Sequence, residues 1–238
     1  MKIALLGYGQ MGRAIEPLAR AAGHDILLKI DSGNRADLTR KQLAEADVAI
    51  EFTHPEQAVG NLRFCLECGV PVVCGTTGWY GEYDSVSMQF EKEGGALLTA
   101  TNFSIGVNLF FAANRYLAQL MARYPDYRAD IHEVHHTRKR DAPSGTAITT
   151  AEGILPHHPA YRAWYKGSTE QPDLLPVTSD RIDDVPGTHI VTYRSAIDDI
   201  SLAHTAHSRE GFAKGALLAA EWLVGKRGVY TIQDVLGV

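Results

Sequence analysis

The densest chemistry in the chain lies in Glu133-Val134-His135-His136-Thr137-Arg138-Lys139-Arg140-Asp141-Ala142-Pro143-Ser144-Gly145-Thr146-Ala147, where two imidazoles and three cations fall within the six residues 135–140. Imidazole titrates near neutrality, and lysine is another common proton carrier, so a histidine or lysine in such a loop suits proton transfer. Pro143-Ser144-Gly145-Thr146 reads as the entry to a helix over 145–154, and the free N–H groups of a helix N-terminus bind anions. The combination suits a small substrate carrying carboxylates. Two blander readings stand beside it: a solvated basic turn, and a contact to nucleic-acid phosphate, the second disfavoured by a net charge of −5.

Gly7-Tyr8-Gly9-Gln10-Met11-Gly12 is a G-x-G-x-x-G that follows an apolar run, opens a helical pattern, and has Asp31 at the end of the next apolar run, 19 residues after Gly12. That context is what dinucleotide binding requires. Gly7 permits the tight turn, Gly9 lets backbone N–H groups approach a pyrophosphate, and Gly12 allows close helix–strand packing. An acid at Asp31 would accept hydrogen bonds from the adenine ribose. The bland alternative is a glycine-rich turn without ligand and an Asp that caps a strand. Gly75-Thr76-Thr77-Gly78 and Thr101-Asn102-Phe103-Ser104 follow two further apolar runs. They fall at carboxyl ends of strands, where open α/β sheets bind ligands, although a plain turn would also explain the first.

These residues need a frame. Strands are expected at 2–6, 26–30, 48–51, 70–73 and 96–99, with helices at 11–22, near 36–45, 55–67 and 82–93. Continuous Val/Ile/Leu strands alternating with helices imply an α/β, doubly wound parallel sheet covered on both faces. The second half reads differently: a helix over 106–123, a strand over 131–135, a helix over 145–154, alternating strands at 188–193 and 200–204, and a helix over 211–224. Thr231 is placed to cap a terminal turn. Prolines at 156, 159, 172, 176 and 186 mark 155–186 as a loop, with His157-His158 exposed in it.

At 238 residues, 45% hydrophobic and 21% charged, the chain is an ordinary globular one of one large or two small domains, able to bury a core without disulfides. No apolar run approaches the roughly 20 residues of a membrane helix, and Lys2 is followed by only a short apolar stretch before Gly7, so no secretory signal is expected. Cys65, Cys68 and Cys74 cannot all pair, and no nearby histidine completes a ligand set. They read as packing thiols in a reducing, cytoplasmic compartment, with no metal.

The stretch from Glu133 to Ala147 resembles the E-x-H-H-x-x-K-x-D-A-P-S-G-T-A signature of the 4-hydroxy-tetrahydrodipicolinate reductase family. Asn102-Phe103-Ser104-Ile105-Gly106-Val107-Asn108 is similar to its N-F-S-x-G-V-N, and Gly75–Gly78 to its G-T-T-G. Gly187-Thr188-His189, Ser208-Arg209 and Asp234-Val235-Leu236 match in order, so the resemblance spans the chain.

The resemblance implies an N-terminal Rossmann unit, residues 1–103 with 208–238, and an α+β substrate and tetramerisation unit, 104–207, with hinges near Phe103 and Ser208. It implies reduction of a cyclic dicarboxylate by NADH or NADPH within lysine biosynthesis, in a homotetramer that engages neither nucleic acid nor membrane. His135 becomes the general acid, with Lys139 donating a proton or neutralising charge beside it. His136, Lys139 and the Gly145 and Thr146 amides hold the substrate carboxylates, and Arg209 is a weaker candidate. The cofactor set is Gly7, Tyr8, Gly9, Gln10, Met11, Gly12, Asp31, Gly75, Thr76, Thr77, Thr101, Asn102 and Phe103. Asp31 repels a 2′-phosphate, Ser32 offers no charge, and Arg35 is the nearest downstream cation, so NADH is expected to be preferred with NADPH accepted.

Overall fold

The computed structural model describes residues 1–208 and 210–238. It divides into two compact units, the first comprising Met1–Ile105 and the chain from Glu210 to Val238, the second beginning at Gly106.

Unit 1 is a six-stranded parallel sheet built from β1 (Lys2–Leu6), β2 (Asp25–Ile30), β3 (Val48–Glu51), β4 (Val72–Cys74), β5 (Ala96–Thr99) and β11 (Gly228–Thr231), in the order β11-β5-β4-β3-β1-β2. All four residues of β3 and all of β4 and β5 are buried, because helices cover both sides. On one face α1 (Gln10–Ala21) and α7 (Glu210–Leu223) present Ile15, Ala19, Ala216 and Ala220 to Ile3, Leu5 and Ile50. On the other, α3 (Pro55–Glu67) and α4 (Tyr83–Glu93) present Leu62, Cys65, Val86 and Phe90 to Ala4, Leu6 and Ala49. Burial pushes the Cys65 and Cys74 thiols far up, consistent with a packing role.

Two local expectations need amendment. The segment near 36–45 forms a 3-10 turn at Arg35–Asp37 and only the short α2 (Arg40–Leu43), which Thr39 and Gln42 close as a capping box. The strand β11 pairs in parallel with β5 and had no periodic signal. It precedes α8 (Ile232–Leu236), which Thr231 caps.

Unit 2 is a five-stranded mixed sheet of β6 (Arg128–His135), β7 (Ala163–Lys166), β8 (Leu174–Arg181), β9 (Gly187–Arg194) and β10 (Asp199–Ala206), ordered β10-β9-β6-β8-β7. The expected loop over 155–186 is therefore a correction, since β7 and β8 lie within it. Pro176 masks the strand locally, but pairing with β6 and β7 on both sides overrides that local signal. His158 is also corrected: it is 2% exposed and packs its ring against Tyr161 and Tyr193.

Strand β6 alternates strictly. Ala129, Ile131, Glu133 and His135 point inward, while Arg128, Asp130, His132 and Val134 are half-buried on the other side. The inward face packs against α5 (Ile105–Met121) and α6 (Gly145–Ile154), through Phe110, Phe111, Ala147, Ala151 and Ile154. This period of two puts a carboxylate and an imidazole, two residues apart, on the core face of the sheet. Among the described residues, no helix is long and apolar enough to cross a membrane.

Candidate active site

The cavity of unit 1 has a volume of about 510 Å³ and opens at the carboxyl ends of β1, β2, β3 and β4. Gly7 sits at φ +97, and a Cβ there would stand 2.0 Å from the Phe52 carbonyl oxygen. A Cβ at Gly12 would meet the Gly7 carbonyl at 2.6 Å, which fixes how closely α1 approaches the turn, whereas Gly9 has open space where its Cβ would be. No side chain caps α1 and no acid lies in its first turn, so its N–H dipoles face an open cradle. These features fit the pyrophosphate of a dinucleotide.

Gly7, Tyr8, Gly9, Gln10, Met11, Asp31, Gly75, Thr76 and Thr77 all line this cavity. Gly12 lies behind it as a packing glycine, and Thr101, Asn102 and Phe103 are not among its lining residues. Phe103 is buried with its carbonyl against Gly215, where a Cβ would come within 1.7 Å.

Sequence reasoning missed the support beneath this cavity. Glu51, fully buried at the end of β3, accepts hydrogen bonds from Thr76 Oγ1 at 2.6 Å, Asn61 Nδ2 at 3.2 Å, and Thr53 Oγ1. Asn61 Oδ1 in turn accepts from Arg35 Nε at 3.0 Å, and the Arg35 guanidinium lies 5.3 Å from the Phe64 ring centre. Asp31 Oδ1 takes the Gly33 N–H at 2.8 Å, which shapes the turn between Asp31 and Arg35. Glu51 ends an otherwise apolar strand, and only the fold shows its neutral donors.

The site of unit 2 is built from side chains. Glu133 Oε1 accepts from Ser144 N at 2.9 Å, Ser179 Oγ at 2.8 Å and Arg181 Nη2 at 3.1 Å. Its Oε2 lies 2.8 Å from His135 Nδ1, at ion-pair distance though off hydrogen-bond alignment, and 3.8 Å from His189 Nε2. Burial alone would raise the Glu133 carboxyl, but His135, Ser144, Ser179 and Arg181 together outweigh it and hold the group well below the usual range. His189 is pushed down to about 4, by burial first and then by the neighbouring His135. The two imidazoles meet edge to face, centroids 5.0 Å apart. Glu133, His135 and His189 could together bracket a cation, but Arg181 already occupies the same carboxylate, which counts against a second positive charge there.

Ser144 connects this cluster to α6. Its Oγ accepts from Ala147 N at 3.1 Å and lies 3.0 Å from His189 Nε2. Ile148 N bonds the Ser144 carbonyl, so the N–H groups of Gly145 and Thr146 are the ones without a helical partner. Nothing lies within 4 Å of a Cβ position at Gly145. Lys139 pairs with Asp141 at 2.8 Å and holds that carboxyl below its ordinary value. His136 lines an open cavity of about 420 Å³ with Arg138, Asp184, Val185, Pro186 and Ser208, and Lys139, Gly145 and Thr146 are not among its lining residues. Arg209 lies outside the described residues. Ser179 and Arg181 were invisible from the sequence because their strand, β8, was masked by Pro176.

A parallel sheet with a glycine cradle at a helix N-terminus, joined in one chain to a buried carboxylate–histidine cluster, defines a nicotinamide-dependent oxidoreductase. The comparisons narrow the class. Residues 1–103 match the family model for the dihydrodipicolinate reductase N-terminus and residues 106–236 that for its C-terminus. The chain is 45% identical over 238 residues, 99% of its length and 98% of the relative's, to a 4-hydroxy-tetrahydrodipicolinate reductase of Christiangramia forsetii. A Methanosarcina barkeri protein of the same name is 37% identical over 82% of this chain and 74% of its own. Among solved structures, a dipicolinate-bound dihydrodipicolinate reductase from Paenisporosarcina shares the fold at TM-score 0.78 and 23% identity, covering 98% of each chain.

The chain belongs to the dihydrodipicolinate reductase family, also called 4-hydroxy-tetrahydrodipicolinate reductase. Its activity is the NAD(P)H-dependent reduction of 4-hydroxy-tetrahydrodipicolinate to tetrahydrodipicolinate with loss of water, in the diaminopimelate route to lysine.

Proposed function

We propose that His135 is the general acid of this reaction and that Lys139, His136 and the Gly145 and Thr146 amides receive the substrate carboxylates. The observation that supports it most is the buried Glu133–His135 pair, 2.8 Å apart at the end of β6, beside the open amides of α6. When bound, the reduced nicotinamide supplies the hydride that adds at substrate C4. The enamine left behind must gain a proton at C3, and an imidazolium is the positioned donor for it. Lys139, only partly exposed and paired with Asp141, is near enough in the chain to exchange that partner for a substrate carboxylate. His135→Gln should keep NADH binding and lower kcat by roughly 10²–10⁴; near wild-type turnover would remove His135 from this role.

The cofactor set includes Gly12, Thr101, Asn102 and Phe103 beside the cavity-lining residues, and NADH is used better than NADPH. Asp31 at the cavity rim favours ribose hydroxyls, while Arg35, held by Asn61 in the same cavity, keeps a 2′-phosphate tolerable. Steady-state kcat/KM for both cofactors tests this, and a clear NADPH preference would take Asp31 out of its role. The assembly is a cytoplasmic homotetramer formed through unit 2, whose sheet leaves the half-buried Asp130, His132 and Val134 on the side away from α5 and α6. Sedimentation at working concentration checks it, with a monomer as the opposing result.

A further inference from the structure

His135 has two ring nitrogens, and a general acid needs the proton on the one that faces substrate. Its Nδ1 is buried against Glu133 Oε2. Its Nε2 faces Gly187, where a Cβ would come within 2.9 Å. The glycine thus leaves open a space beside Nε2 that a side chain there would fill. His189, two residues from that glycine on β9, lies edge-on to the His135 ring with centroids 5.0 Å apart.

We propose that Glu133 is the positioning residue that decides which nitrogen of His135 delivers the proton: Oε2 retains the proton on Nδ1, and Nε2–H is given to substrate across the gap at Gly187. This rests on the reading of His135 as the acid. The step balances simply. The imidazolium transfers the Nε2 proton to C3 as the C–H bond forms, the N–H electron pair stays on Nε2, and the neutral Nδ1–H imidazole regains a proton from water.

Glu133 reaches the ring from its own strand, Arg181 on β8 pairs with the far oxygen of that carboxylate, and His189 approaches from β9. Lys139 from the loop and His204 from β10 add positive potential around His189, whose depressed value keeps it neutral. With His189 neutral, Arg181 is the charged group hydrogen-bonded to Glu133, and the His135 ring lies against the other carboxylate oxygen. The bond from Ser144 N to Glu133 Oε1 also ties this carboxylate to the first turn of α6, so the proton donor and the carboxylate-binding amides are held by one group.

The test needs no variant at its first stage. With ¹⁵N-labelled histidine in the intact protein, the neutral form of His135 should carry its proton on Nδ1, with Nε2 the nitrogen that titrates; the opposite tautomer overturns the proposal. In the second stage, Glu133→Gln keeps acceptor and size but removes the charge. The alkaline limb of the kcat–pH profile should move down by about one unit or more, a roughly tenfold loss of kcat above it, with NADH KM unchanged and activity recovering as pH is lowered. Glu133→Asp should restore part of the shift. A wild-type limb in Glu133→Gln, in a protein where His135→Gln has lost turnover, sinks the positioning role alone. If His135→Gln itself turns over normally, the underlying reading fails instead.

Discussion

The two units carry comparable buried carboxylates, each near a strand end, and use them differently. Glu51 in unit 1 is satisfied by neutral donors, Thr53, Asn61 and Thr76, and acts as scaffold for a cavity that these three residues line together with the glycines of the turn at Gly7 and Gly9. Glu133 in unit 2 is satisfied by Arg181, Ser144 and Ser179 and faces two imidazoles. A cradle of N–H groups and glycines serves a cofactor that must bind and leave unchanged in its phosphates. Proton transfer instead needs groups whose charge can change, and such groups must be paired when buried. Unit 1 should therefore fail through added side chains, and unit 2 through altered charge.

The largest effect on the unit 1 side is expected at the glycine turn. Gly7→Ala places a methyl 2.0 Å from the Phe52 carbonyl at a positive φ, so the turn must shift. Loss of NADH binding by more than about tenfold, or outright destabilisation of several kcal/mol, should follow. An alanine variant that binds NADH normally in a fluorescence titration would show that the cradle is not formed by this turn.

On the unit 2 side the comparison sharpens with pH. His158, His189 and His204, the histidines pushed below their ordinary value by burial, all lie there. A histidine with a depressed folded value is protonated first in the unfolded chain, so stability falls as pH drops from about 6.5 toward 4. For His189, held near 4, that loss approaches about 3 kcal/mol. The depressed Glu133 adds a further loss below the ordinary carboxylate range. Hydrogen exchange at pH 5 should show unit 2 opening before unit 1, and His189→Gln should flatten the dependence; simultaneous opening at every pH would contradict it.

Smaller effects separate the ligands. Lys139→Ala should weaken pyridine-2,6-dicarboxylate, a flat diacid, by about tenfold or more, since a charge-assisted bond contributes roughly 1.5–3 kcal/mol. Equal inhibition constants would remove Lys139 from the carboxylate site. Arg35→Ala should widen the NADH:NADPH ratio severalfold, an effect that shrinks at high salt; an unchanged ratio would mean another cation meets the 2′-phosphate.

The nucleotide half was legible because its signals are local. Glycine spacing, an acid after the second strand and unbroken apolar runs are all set by the chain's immediate geometry, and Gly7 to Met11 and Asp31 line one cavity. The histidine loop was legible as composition, yet its organisation was not. Arg181 and Ser179 reach Glu133 only because β8 pairs in parallel with β6, 46 to 48 residues away in sequence. Pairing over such distances leaves no periodic trace, and Pro176 argued against the strand. The same holds for Asn61, whose place between Glu51 and Arg35 joins α3 to the end of β3 and to the 3-10 turn at Arg35–Asp37. His158 looked solvated between prolines, whereas packing on Tyr161 and Tyr193 buried it.

On the proposed roles, hydride-donor binding and proton delivery fall to separate groups of the protein. Calorimetric titration of NADH into wild type and His135→Gln, alongside kcat for both, separates the two. NADH dissociation constants should stay within about twofold of each other while kcat falls by roughly 10²–10⁴. A parallel loss of NADH affinity and turnover, or an undiminished kcat, would contradict that division.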